Sequence, residues 1–327
     1  MIIKPEHCSY QIYIDTLISK QSWFSSQYTR GSLRYSKQRP SDDGKYLEDK
    51  SFLLLWNNDP VIAFFGSIVG NNESKDLLAY ESHCAVIEDP EKLTTKARKF
   101  FLKHLSTILN EVDGVVKYRD FLVNGYTSSV SEYLLAKGAH GQAKYSRIID
   151  LQYREEHLRS SVRKRYRGLI NWGMKEIQPE IHNSSNIDWE KILEFRDLHI
   201  GVCGRETRSI KTWRRQYECI LNDEAFIVLG YIDTKLVSAG YFSYSKTNCY
   251  YGVSASRRDL FEKPIFHSLM WRAIIYAKKI GCHWFDVGEQ IFPNQNMNNL
   301  PTKKEIDISH FKAGFGGSNR LFLDVTL

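Results

Sequence analysis

The sequence predicts an α/β (α+β) protein built in tandem, each half a mixed sheet with flanking helices. Two observations carry this reading. Apolar hairpins occur in both halves, at residues 52–68 and 225–245, each followed by a further strand and then an amphipathic helix. Between the halves lies a basic amphipathic stretch with apolar residues at helical spacing. A chain of 327 residues is long enough for two cores of this kind. The expected organisation is an N-terminal domain at 1–152, a basic linking helix at 153–180 and a C-terminal domain at 181–327.

The first half opens with a helix and a polar, basic and aromatic connection, QSWFSSQYTRGSLRYSKQRPSDDGKY, which ends in turn residues at Pro40 to Gly44. Lys37 and Arg39 in that connection are candidates for contact with phosphate. Phe52 to Trp56 and Val61 to Ile68 flank Asn57-Asn58-Asp59-Pro60 and predict a hairpin. A third strand is expected at 77–88, a helix from Thr94 to Val112, a strand near Lys117 to Val123, a helix stopped by Gly138, and a closing strand from Ala143 to Leu151.

Residues 154–175 follow, with Leu158, Val162, Tyr166 and Leu169 as the apolar stripe and Arg159, Arg163 and Arg167 beside it. Such a face is either solvated or meets a phosphate backbone, which makes Arg163 and Arg167 candidates for the latter. The second half then gives a helix from Asp188, a helix carrying Trp213 and Tyr217, a hairpin turning at Asp233-Thr234, a third strand at TNCYYGVSAS, a central helix from Pro264 to Ile280, a strand at HWFDV and a closing strand at NRLFLDVTL.

Composition is that of a soluble globular protein, 42% hydrophobic and 25% charged. A formal charge of +7 leans toward an anionic partner. The six cysteines are scattered without C-x-x-C or zinc-type spacing, so they are read as reduced thiols in a cytoplasmic protein with no metal. The first residues carry no secretion signal. No apolar run reaches the ~20 residues that span a bilayer, so any membrane contact is expected to be peripheral.

The most informative stretch is Gly281 to Gly317. Its helix ends in His-Phe-Lys-Ala-Gly-Phe-Gly-Gly, where Phe311 and Phe315 stand one turn apart and anchor the segment while Lys312 points elsewhere. Gly314, Gly316 and Gly317 allow a left-handed stop and close backbone approach. A lysine beside a strand edge is suited to stabilising negative charge that develops during acyl transfer; a lysine at a helix C-terminus is also favoured by the helix dipole alone.

Each half looks like the acetyltransferase (GNAT) fold. In that fold a glycine-rich loop at the start of the central helix holds the pyrophosphate of coenzyme A on backbone N–H groups. The corresponding stretches here, EDPEKLTTKARKF and SRRDLFEKPIFHSL, contain no glycine, which disfavours ordinary coenzyme A binding. Arg257, Arg258 and Lys263 remain as side-chain partners for an anion.

The tandem architecture, the missing glycine loops, LRSSVRKRYRGLINWGMK and HFKAGFGG together resemble the FemAB family of peptidyltransferases. The resemblance implies transfer of an aminoacyl group from aminoacyl-tRNA to an amine on a nucleotide- or lipid-linked peptidoglycan precursor, with no tightly bound cofactor. It implies that Lys312 acts at the tRNA-linked ester with Phe311 beside it. It also implies acceptor contacts around Arg208, Trp213, Tyr217, Tyr250 and Tyr251.

An attacking amine must lose a proton, and Asp286 and Glu289, at the end of the HWFDV strand, are candidate bases. Two other readings stay open. One is an acyl-CoA or acyl-carrier-protein donor held by the second-half arginines. The other is a non-catalytic module that binds a glycan, a peptide or RNA.

Overall fold

The computed structural model describes residues 1–70, 74–78, 83–123, 125–295 and 300–327, without the side chains of Arg39 and Ser41. The chain forms two compact units. One comprises Met1–Phe24, Leu33–Lys144 and Leu321–Leu327; the other comprises Ser25–Ser32 and Tyr145–Arg320. The expected 1–152 and 181–327 division is thus modified at both ends. The final residues belong to the first unit, and the segment expected as a linker belongs to the second.

The first unit holds β1 (Ile2–Ile3), α1 (Tyr10–Ser19), most of α2 (Arg30–Asp42), β2 (Tyr46–Asp49), β3 (Phe52–Trp56), β4 (Asp59–Phe65), β5 (Ser67–Gly70), β6 (Lys75–Leu78), β7 (Ala85–Glu88), α3 (Thr95–Leu109), β8 (Lys117–Asp120) and α4 (Ser129–Ala136). One sheet runs β1-β3-β4-β7 and a second β2-β5-β6. β8 pairs antiparallel with Leu323–Thr326 of the chain's last strand. Asn57 and Asn58 both have positive φ, 52° and 65°, the geometry of a tight two-residue hairpin turn.

The core of this unit packs Phe101 and Leu105 of α3 against Phe52, Leu54 and Phe64. The polar stretch expected as a connection contains helix α2 instead, with Pro40 inside it. The expected strand at 77–88 is two strands, β6 and β7; its residues 79–82 lie outside the described residues.

The second unit continues with β9 (His140–Asp150, from Tyr145), α5 (Glu155–Ser161), α6 (Lys164–Glu176), β10 (Gln178–His182), α7 (Trp189–Cys203), α8 (Ile210–Leu221), β11 (Ala225–Ile232), β12 (Lys235–Tyr244), β13 (Asn248–Ser256), α9 (His267–Lys279), β14 (Trp284–Gln290), α10 (Lys303–Ala313) and the start of β15 (Ser318–Thr326). Its strands run β10-β11-β12-β13-β14-β9. All neighbours are antiparallel except β13 and β14, which α9 connects in parallel. The turn expected at Asp233-Thr234 is present, both residues having positive φ.

The expected single basic helix is broken. Val162 and Arg163 are extended, with ψ of 136° and 131°, and separate α5 from α6. The Ser160 and Ser161 hydroxyls bond back to the carbonyls of His157 and Leu158, which competes with continuation of the helix. The break lets Leu158, Val162, Tyr166 and Ile170 all enter the core that covers α9.

Candidate active site around Lys312

The site is built on β14, whose alternation sends Phe285 and Val287 into the core and Asp286 to the opposite face. Against β9 the register shifts between Asp286, opposite Ile148, and Gly288, opposite Arg147, so Val287 is an extra residue in a bulge. Gly288 takes φ +102°, which side chains rarely tolerate. The parallel ladder with β13 ends at Tyr250 and Asp286, so the two strands part immediately before the bulge.

Helix α10 delivers Lys312 to this point. Its N-terminus is fixed by a capping box between Thr302 and Glu305. At its other end Phe311 and Phe315 pack together at 5.2 Å, and Phe315 packs on Tyr166 at 5.4 Å. His267, at the first turn of α9, meets Tyr166, Phe311 and Phe315 at 4.6, 5.3 and 5.9 Å. Gly314 is required because a Cβ there would stand 2.1 Å from the Tyr166 ring. Gly317, with φ +76°, would bring a Cβ within 2.2 Å of the Ile148 carbonyl.

With its aromatic neighbours buried, Lys312 turns back across β14. Its Nζ donates to the Glu289 carbonyl at 3.4 Å and lies 2.7 Å from where a Cβ on Gly288 would be. Burial lowers the ammonium's pKa against the opposing pull of Asp286 and Glu289. Asp286 is 7% exposed. Its Oδ1 accepts from the Ser146 hydroxyl at 2.5 Å and from the Gly288 N–H at 2.8 Å. Arg320, also lowered by burial, feels the same carboxylate.

Lys312, Asp286 and Glu289, selected from sequence, therefore lie at one bulge of β14, where Lys312 bonds to the Glu289 main chain. Tyr250 stands opposite Asp286 in the ladder. Tyr251 shares a hydrogen bond with Ser254 and packs between Phe242 and Phe266. Phe311, expected beside the substrate, is a packing residue of the aromatic cluster.

The other residues selected from sequence have these surroundings. Trp213 is 1% exposed and lies in a separate core against Phe195 and His199, where a substrate cannot reach it. Arg208 sits over its ring at 5.7 Å, and Tyr217 packs on Trp189. Arg163 donates to the His310 carbonyl, and Arg167 to those of Ser160 and Val162, so both cap helix ends. Arg257 is held bidentate by Asp259, while Arg258 and Lys263 are exposed. In the first unit Lys37 pairs with Asp49 at 2.9 Å; the Arg39 side chain lies outside the described residues.

Three contributors were not selected from sequence: Ser146, Gly288 and Arg320. Gly288 carried a signal, since a glycine inside a strand pattern marks a bulge or a close approach. Ser146 and Arg320 carried none, since Ser146 lies 140 positions before Asp286 and Arg320 on another strand, and only the fold brings them near it.

Among the described residues no group of three or more His, Cys, Asp or Glu is arranged to hold a metal ion, and no helix is long and apolar enough to cross a membrane.

No protein-family model matches the sequence, and no curated protein does. Solved structures do match in fold. FemX superposes with a TM-score of 0.73 at 12% identity, covering 99% of this chain and 96% of that one. The C-terminal domain of a putative lysylphosphatidylglycerol synthetase from Agrobacterium fabrum gives 0.59 at 10% identity, covering 97% and 91%. A tandem GNAT protein from the clavulanic acid biosynthesis pathway gives 0.53 at 11% identity, covering 100% and 97%. The chain thus has the tandem GNAT fold.

Proposed function

We propose that this protein is an acyltransferase of the FemAB-like kind, which moves an aminoacyl group from aminoacyl-tRNA onto an amine of a nucleotide- or lipid-linked cell-wall or surface-glycan precursor in the cytoplasm. The observation that carries this reading is the half-buried Lys312 ammonium, held at Gly288 and Glu289 where β13 and β14 part. A cation in that place is preorganised for charge that develops on oxygen.

In the reaction the acceptor nitrogen attacks the ester carbonyl and a C–N bond forms. Lys312 stabilises the oxyanion. The C–O bond to the ribose then breaks, and the leaving oxygen takes up a proton. The nitrogen's own proton passes to a carboxylate, for which Glu289, exposed at the strand end, is better suited than the buried and doubly hydrogen-bonded Asp286.

The entry to α9 lends less support to coenzyme A as the donor. The backbone N–H groups of Leu260, Phe261, Lys263, Ile265 and His267 all donate to local carbonyls, and residue 264 is proline. Those five N–H groups are therefore already engaged and not offered to a pyrophosphate.

The test supplies purified protein with labelled aminoacyl-tRNA, or with labelled acyl-CoA, and a mixture of UDP-linked and lipid-linked muropeptides. Transfer of label to an amide that is abolished by ribonuclease supports the reading. Transfer from acyl-CoA, resistant to ribonuclease, rejects it.

A further inference from the structure

We propose that Asp286 is a positioning residue, the fixed counter-ion that holds the Lys312 ammonium across Gly288, and is not the base of the reaction. This rests on the acyl-transfer reading above for its consequence, but the pairing can be tested on the folded chain without it.

The carboxylate is buried on β14, two residues before the glycine against which Lys312 lies, and two neutral donors from different strands fix its orientation. Ser146 holds it from β9. The Gly288 N–H holds it from the bulge, and Gly288 is the residue on which Lys312 lies. One glycine therefore sets the carboxylate by its N–H and admits the lysine by lacking a side chain.

Arg320, at the start of β15, is close enough for the same carboxylate to favour its charged form, and that end of the strand is held to β9 by Arg147 donating to the Gly316 carbonyl and to Asn319. Hydrogen bonds donated to a carboxylate favour its charged form. Asp286 is well placed to keep a partly desolvated ammonium protonated.

The charged and titratable groups on the elements packed at this end of α10 include Asp286 and Glu289 on β14, Arg320 on β15, Arg147 on β9, Arg163, Lys164, Arg165 and Tyr166 at the entry to α6, His267 on α9 and His310 on α10 itself. Of these, Asp286 and Glu289 act to raise the Lys312 pKa.

The test is an NMR titration of reductively ¹³C-methylated protein, with the Lys312 resonance assigned from Lys312→Met. In Asp286→Asn, which keeps size and most hydrogen bonding, the Lys312 midpoint is expected to move to lower pH by roughly one unit. The alkaline limb of kcat/KM should move with it while KM changes little. An unmoved Lys312 midpoint overturns the proposal. So does loss of the acid limb of the rate profile, which is the signature of a missing base.

If Asp286→Asn does not fold, the reciprocal experiment applies, because coupling between two charges is mutual. The ¹³C carboxyl titration of Asp286 should move to higher pH in Lys312→Met, and an unmoved titration overturns the pairing. A shifted Lys312 midpoint in a protein that transfers no acyl group would instead reject the functional reading and leave the pair standing.

Discussion

The Lys312 ammonium lies over the backbone of Gly288, 2.7 Å from where a Cβ would be, and the same Gly288 donates its N–H to Asp286. A bulge in one strand, a helix end and a buried carboxylate thus share one residue without a side chain.

Gly288→Ala is expected to disturb all three. The added methyl group meets Nζ and Cε of Lys312, and φ of +102° is strained for alanine by about 1–3 kcal/mol. Because Lys312 is a flexible chain it yields before the strand does. We expect activity to fall by about 10- to 100-fold, more than the accompanying loss of stability explains. Circular dichroism and steady-state rates on one preparation check this. A fully active Gly288→Ala protein would show that the position of the ammonium is immaterial.

The arginines of the broken basic helix give a prediction of the opposite kind. Arg167 donates to two carbonyls at the end of α5, so Arg167→Ala should lower unfolding free energy by about 1–2 kcal/mol. It should leave the salt dependence of RNA binding unchanged. Had Arg167 bound a phosphate, the slope of log affinity against log salt would drop by about 1. Denaturant melts and binding isotherms at several salt concentrations separate the two roles.

These residues also show what a sequence conveys. The apolar periodicity located most strands and helices, and the glycines of HFKAGFGG indicated close approach, as Gly314 on Tyr166 and Gly317 on Ile148 now do. The helix break at Val162 was not legible, because Leu158, Val162 and Tyr166 keep helical spacing and the break depends on contacts with α10. The Arg163 N–H donates to the Gly314 carbonyl and its guanidinium to that of His310. α2 was missed because its mean composition is polar and it contains Pro40. The site was legible as Lys312, Asp286 and Glu289, but Ser146 and Arg320 are brought near Asp286 only through strand pairing. Trp213 looked available because an aromatic residue on an amphipathic helix reads alike whether it faces a ligand or a core.

Acid should destabilise the fold through two histidines. Burial holds His83 and His267 to about 4, against an ordinary value of 6.5, and for His83 it outweighs the attraction of Asp324. Both are depressed in the folded state, so the unfolded chain binds protons first as pH falls. Their contribution is fully present above about pH 6.5 and is lost as pH falls toward 4, amounting to at most about 3 kcal/mol each. Unfolding free energy measured across that window should decline in the wild type and decline less in His83→Gln/His267→Gln. Equal declines would place the acid sensitivity elsewhere.

The most direct measurement is the single-turnover rate of acyl transfer by Lys312→Met beside the wild type, using the donor that the labelled-substrate test identifies. With Lys312 stabilising developing negative charge, the chemical step should slow by at least about 100-fold while the melting temperature stays within a few degrees. A Lys312→Met protein that folds normally and transfers within about threefold of the wild-type rate would contradict the account.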